Sequence, residues 1–206
     1  MNFRLLNMKT WCYLIIFLAT SAVNPLAAQQ EELDEGNRLL ESGKFTDAER
    51  VFRTGTEQYP NHRTFKTQLA YSLIQQKRYD EAEELLFAVI KEYPTDMPAN
   101  WYAGVLFFYR EQNRSAITRF EKAIMQLRPG MGQFASACWF IGRCYQNMLF
   151  TEGITQKETD RMFEVYDTFL ELRPDSPEAD EIRTFLEEYK PRRPEEEGNL
   201  WLEIVE

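Results

Sequence analysis

A period of 34 residues runs through more than half of the chain, and few folds tolerate such a pattern. Phe45 recurs as Tyr79, Ala48 as Ala82 and Ala116, Phe52 as Leu86 and Phe120, and Pro60 as Pro94. Pro129 stands one residue past the next place in the proline series. A parallel column holds Gly36, Ala70 and Gly104, with Leu39, Leu73 and Phe107 three residues behind each. The spacing predicts two amphipathic helices per unit. The small residues of the first helix and Ala48, Ala82 and Ala116 of the second let the pair approach closely, and the larger residues fill the layers between. Ser42-Gly43-Lys44 and Gln76-Lys77-Arg78 read as the turns within units. Prolines close the units, because proline cannot continue a helix interior. The units run approximately over 29–62, 63–96 and 97–131.

A fourth unit is stretched. Ile141-Gly142 and Tyr145 repeat the first-helix pattern, but Tyr166 and Phe169 come late, with eight extra residues near Leu149–Gln156. Thr155 and Glu158 have the spacing of a capping box that restarts the helix. The longer loop is either tolerated variation or a functional feature on one face of the array. Ser176-Pro177 then predicts the start of a ninth helix. Its Leu186 and Tyr189 suit a cap that buries one face and leaves the other polar.

With these columns in view, the chain resembles the tetratricopeptide-repeat (TPR) family, whose period is about 34 residues. The resemblance implies an all-α, right-handed superhelical solenoid of antiparallel helix pairs, with about four units and a C-terminal capping helix. It also implies that the first helix of each pair lines a concave surface that binds peptides. The residue after each helix-contact Gly or Ala, and the residue three before it, would face that groove. These are Leu33 and Asn37, Thr67 and Tyr71, Trp101 and Val105, then Trp139 and Arg143. One turn further lie Leu40, Ile74, Phe108 and Gln146. The expected binding set is Asn37, Tyr71, Ile74, Trp101, Val105, Phe108, Trp139 and Arg143, aromatic at its centre. The competing reading makes the same aromatics ordinary core. A clamp for acidic C-termini is a poor match, because Leu33 stands where the family's clamp carries Lys and only Asn37 agrees.

Catalytic groupings are scarce. His62 is the single histidine, in a loop after Pro60-Asn61, and is expected to be solvent-exposed. Cys138 and Cys144 lie on one expected helix about 9 Å apart, beyond disulfide reach, and read as buried free thiols. There is no glycine-rich phosphate loop and no metal-ligand spacing. Acidic pairs such as Glu83-Glu84 read as solvated faces. We therefore expect no enzymatic activity, no metal and no cofactor. A net charge of −9 argues against nucleic acid and against an anionic membrane surface.

The ends carry their own signals. Residues 1–28 hold two charges, Arg4 and Lys9, then an apolar run from Tyr13 to Ala19, and Leu26-Ala27-Ala28 before Gln29. This is the pattern of a cleaved secretory signal, with Met8 a tidier start than Met1. A retained membrane anchor is the alternative. Residues 29–190 form the repeat domain, and 191–206 a linker and apolar tail. Leu200, Trp201, Leu202, Ile204 and Val205 are too apolar for a loose end, and are expected to dock on the solenoid or on a partner. Solenoid ends and this tail also allow self-association. Together these features predict an exported, periplasmic or envelope adaptor with a protein or peptide partner. A periplasmic chaperone-like holder of extended peptides is the second reading. A cell-wall hydrolase, which would need a convergent carboxylate pair, is the third.

Overall fold

The computed structural model describes residues 25–194 and 200–203. Nine α-helices follow one another there: α1 Pro25–Glu41, α2 Phe45–Gln58, α3 Arg63–Gln75, α4 Tyr79–Glu92, α5 Met97–Tyr109, α6 Asn113–Ile124, α7 Gly132–Leu149, α8 Gln156–Leu172 and α9 Ala179–Tyr189. A 3₁₀ turn over Lys190–Arg192 ends the described array. Each helix packs on the next in sequence, and α3 also packs on α1 and α5. The result is an all-α helical-repeat solenoid with a continuous core.

The glycine column sets the helix spacing. A β-carbon at Gly36 would stand 2.3 Å from the Phe52 ring, one at Gly104 2.7 Å from Phe120, and one at Gly142 2.3 Å from Tyr166. Each ring is fully buried on the second helix of its own unit. Gly104 and Phe120 are 16 residues apart and Gly142 and Tyr166 are 24 apart, so the stretched unit keeps the same contact across eight additional residues. Tyr166 keeps the ring and finds a partner for its hydroxyl, which donates to Gln146 Oε1 at 2.6 Å.

The turns within units repeat a backbone motif. Gly43, Lys77 and Glu111 all adopt the left-handed conformation, at φ of 71°, 61° and 59°. In each turn the following N–H donates back to the carbonyl of Leu39, Leu73 or Phe107 at 2.9, 3.0 and 2.9 Å. This is the hydrogen-bonded helix stop that glycine favours. Of these three turns, the first alone uses glycine. The connection between the second and third units is held by polar side-chain contacts. Asn100, fully buried, donates to the carbonyls of Pro94 and Asp96. Asp96 caps α5 through the Ala99 N–H and pairs with Arg63 at 3.0 Å.

Ion pairs cross the unit boundaries. Glu49 of α2 takes Arg78 at 2.7 Å from the next unit and Arg53 from its own helix. Burial raises the Glu49 carboxyl pKa, but the bonds from Arg53, Gln76 and Arg78 outweigh it and hold the group below the ordinary value. Glu83 and Arg110 repeat the pairing one unit on, and Glu121 and Arg161 link α6 to α8.

Two expectations are corrected. His62 is half-buried, with its ring 5.2 Å from Phe65 in an edge contact and its Nδ1 enclosed without a hydrogen-bond partner. The ring closes the gap between the unit boundary and α3 instead of facing solvent. Ser176 does not cap the last helix. That helix begins at Ala179, whose N–H reaches the Ser176 carbonyl while the Ser176 hydroxyl is buried and unpartnered. Pro177 and Glu178 occupy a turn ahead of it.

Two substitutions test this framework with opposite signs. Gly142→Ala forces a methyl against the Tyr166 ring. Overpacking costs about 1–3 kcal/mol and the gain in helix propensity returns about 1 at most, so the urea midpoint falls. Lys77→Gly removes a side chain from a left-handed position and raises stability by up to about 1 kcal/mol. A Gly142→Ala protein as stable as the parent contradicts the close-approach account.

Candidate aromatic face on the first helices

The first helices place a row of rings along one face of the solenoid. Tyr71 of α3 stacks on Tyr102 of α5 with centroids 4.8 Å apart. From α5, Phe108 meets Tyr109 at 6.1 Å, Trp139 at 6.1 Å and Phe140 at 5.0 Å. Trp101 lies edge-on to Phe140 at 6.0 Å and to the buried Phe120 at 5.5 Å. Trp139 also carries the Arg143 guanidinium over its ring, 5.9 Å from the centroid. The row continues across α3, α5 and α7. Gly142 follows Gly104 by 38 residues, not 34, because the connection between α6 and α7 is longer. Trp101, Phe108 and Phe140 fill the space between α5 and α7.

The expected residues divide into two groups. Asn37, Tyr71, Trp101, Phe108, Trp139 and Arg143 are partly exposed. Ile74 and Val105 are not on an open face: they are 1% and 6% exposed and belong to the core. The reason is the direct packing of α1, α3 and α5, whose seam takes in these two side chains. Leu33 and Thr67 are buried as well.

Another column joins the face that the expected register did not include. Gln68 donates to Asn37 Oδ1 at 2.9 Å and accepts from the Tyr102 hydroxyl at 3.0 Å. Gln68, Tyr102 and Phe140 each stand two residues before the small residue of their helix, so the repeat itself carried the signal. Tyr109, half-exposed, is the other addition. Burial, with a smaller effect from Tyr71, pushes the Tyr102 hydroxyl up to about 12. Burial and the Tyr109 phenol raise Tyr71. These hydroxyls therefore act as neutral hydrogen-bonding groups at ordinary pH. Arg143, over the Trp139 ring, also pairs with Glu181 of α9 at 2.5 Å.

The inserted loop between α7 and α8 has a different role in the fold: it receives the C-terminal tail. Ile154 and Trp201 form an antiparallel bridge, with N–H to carbonyl distances of 2.9 and 2.8 Å. The Glu203 N–H donates to the carbonyl of Leu149 at the end of α7. Trp201 is 9% exposed, against Phe163 and Tyr189, and its indole N–H donates to Glu203. Gly153, at φ 79°, lets the strand pass, since a β-carbon there would be 3.2 Å from the Trp201 carbonyl. Leu200 and Leu202 point the other way and are exposed. The expected contacts of Ile204 and Val205, and nearly all of the segment 1–28, lie outside the described residues; Pro25 to Ala28 begin α1.

Cys138 and Cys144 are buried free thiols. Burial pushes their pKa up to about 11 and about 12, so neither is an ionised nucleophile near neutral pH. Among the described residues, no group of His, Cys, Asp and Glu is arranged to hold a metal ion, and no helix is long and apolar enough to cross a membrane.

Comparison with known proteins agrees with this geometry. A family model described as tetratricopeptide repeat matches residues 39–103. Among solved structures, PilF of Pseudomonas aeruginosa superposes with a TM-score of 0.64 at 17% identity, covering 81% of this chain and 72% of that one. MamA of Desulfovibrio magneticus gives 0.60 at 16% identity, with 79% and 88% covered. A tetratricopeptide repeat protein from Parabacteroides merdae gives 0.59 at 14% identity, with 81% and 61% covered. At these identities the likeness is one of fold. No curated protein sequence matches the chain.

The tail contact has a direct test. Trp201→Ala empties the space between Phe163, Tyr189 and Ile154. It should lower stability by about 3 kcal/mol, as for a buried large-to-small change, and open the 150–155 loop to limited proteolysis. An unchanged melting temperature and unchanged cleavage pattern would contradict a structural role for the tail.

Proposed function

We propose, from the premise that the chain is a tetratricopeptide-repeat protein, that it is a scaffold of the bacterial cell envelope that binds a partner protein or peptide on the aromatic face of α3, α5 and α7. The observation that supports this reading most is the row of partly exposed rings: Tyr71, Trp101, Phe108, Tyr109 and Trp139. A contiguous apolar patch that reaches solvent usually marks an interaction site. Tyr and Trp are also the residues that dominate binding hot spots, commonly at about 2 kcal/mol or more on truncation. Elsewhere on the described surface, many charged residues are paired within and between units, as at Arg78, Arg110 and Arg114. The envelope assignment rests on the sequence of residues 1–28, with its two positive charges, apolar run and small residues before Gln29.

Two measurements test the two halves of the proposal. Tyr109→Ala and Trp139→Ala, made separately and together, should weaken capture of the partner by about 30-fold for the pair, the equivalent of about 2 kcal/mol. Tyr109 is half-exposed, so its substitution leaves folding intact. Undiminished capture by the double variant would contradict the aromatic face as the binding surface. Fractionation of the native cell, with mass spectrometry of the N-terminus, should find the chain in the envelope and beginning near Gln29. A chain that keeps residues 1–28 and sits in the cytosol would contradict export.

A further inference from the structure

In a stacked array each helix is held by its neighbours, and a terminal one has a neighbour on one side only. Among the described α-helices, α9 is in that position and packs mainly on α8. Its start has no side-chain cap, and the nearby Ser176 hydroxyl is enclosed without a partner. Its exit is tied to α8 by Lys190 with Asp167 at 2.7 Å and by Arg193 with Asp160 at 2.5 Å. Both pairs are largely exposed, and such pairs contribute little. Elements held in this way open locally before the rest of a fold.

This helix joins two features of the structure that do not touch each other. A ladder of rings runs in from the tail. Trp201 lies 6.1 Å from Tyr189, Tyr189 stacks on Phe185 at 4.6 Å, and Phe185 meets the buried Tyr166 of α8 at 5.8 Å. Phe150, just past α7, closes on Tyr189 edge-on at 5.7 Å. The Tyr166 hydroxyl donates to Gln146 Oε1, which also accepts from Arg143 at 3.3 Å. Arg143 lies over the Trp139 ring and pairs with Glu181 in the first turn of α9. One short helix thus meets the tail at Tyr189 and the end of the aromatic row at Glu181.

We propose that the tail is a strap on α9: with Trp201 seated, α9 is held against α8 and Glu181 keeps Arg143 over Trp139, and release of the tail frees both. The element with two states is α9 itself, seated or frayed. The tail and the Arg143–Glu181 pair both favour the seated state, so each stabilises the other through it. The strap is built from few contacts, which part without unfolding the array: two backbone bonds between Trp201 and Ile154, one from Glu203 to Leu149, and the Trp201 ring against Phe163 and Tyr189. This linkage exists without any partner. Its regulatory consequence rests on the reading of the aromatic face as the partner-binding surface: a partner that fixes Arg143 and Trp139 also tightens the tail, and a free tail weakens the partner.

The test uses the full chain, labelled with ¹⁵N and without a partner, so its outcome does not depend on whether the face binds anything. Two variants release the strap. Trp201→Ala removes the ring, and Glu203→Pro removes the N–H bonded to Leu149 and the carboxylate that holds the Trp201 indole, without emptying the core. In each, amide exchange over residues 182–189 should quicken by about tenfold, the order of one lost aromatic contact and one hydrogen bond. The amides of α1 to α6 should keep their rates. The Trp139 indole resonance, assigned with Trp139→Phe, should shift. In the reverse direction, Glu181→Gln, an exposed change that leaves folding intact, should quicken exchange of the Trp201 amide by about twofold, the order of one exposed ion pair. Faster exchange confined to the tail and the 150–155 loop, with α9 and Trp139 unchanged, overturns the strap. Equal quickening in all nine helices overturns it as well, since the tail would then support the whole fold. An unmoved Trp139 resonance beside a loosened α9, or an unchanged Trp201 amide in Glu181→Gln, overturns the link between the tail and the row.

Discussion

The architecture depends on a short contact made repeatedly: a residue without a side chain on the first helix of a unit, pressed onto a buried ring of the second. At Gly36, Gly104 and Gly142 the space a β-carbon would need is already taken by Phe52, Phe120 and Tyr166. The ring can be that large only because its partner is that small. Ala70, buried at the same place in the second unit, stands at the same spacing from the smaller Leu86. Volume is thus conserved within each pair while its distribution varies, as close-packed interiors require. Once this distance is set, the rest of each unit follows. The turn stops the first helix at a fixed place, and the second helix returns across it.

Where the period departs from 34 residues, the structure compensates in two different ways. The longer connection between α6 and α7 moves the fourth unit away from the third. Large rings from α5 and α7 fill the space and reach solvent. The insertion between α7 and α8 leaves Ile154, Phe163 and the last carbonyls of α7 to be covered. The tail strand around Trp201 covers them and supplies an N–H to Leu149. Both irregularities lie in the C-terminal half, while the candidate face runs from the regular boundary between α3 and α5, where Tyr71 stacks on Tyr102, to the one between α5 and α7, where Phe108 meets Phe140.

Most of the framework is legible in the residues because repetition makes the pattern redundant. The columns of Gly36 and Phe52, the turn at Ser42-Gly43, the extra residues before Thr155 and its capping box with Glu158 all have their expected roles. The left-handed turns at Lys77 and Glu111 are less legible, since nothing in a lysine or glutamate announces positive φ. The face is legible only in part. Successive residues on a helix point about 100° apart, and the column of Gln68, Tyr102 and Phe140 shares the face with the column next to it. Ile74 and Val105 fall inside because contacts between neighbouring first helices decide which edge of the stripe is covered, and a single repeat unit does not encode that. His62 escapes the sequence pattern for a similar reason: its neighbour Phe65, three residues on, turns back over it.

The central claim is that the partner meets the chain on its first helices. In vivo photo-crosslinking tests it whatever the partner's identity. A photoreactive side chain replaces Tyr109 on the aromatic face in one strain and Glu84, exposed on the second helix α4, in another. The account predicts a discrete crosslinked adduct from position 109 and none from position 84. An adduct from position 84 with none from position 109 would contradict it, and would move the interaction to the opposite helices of the solenoid.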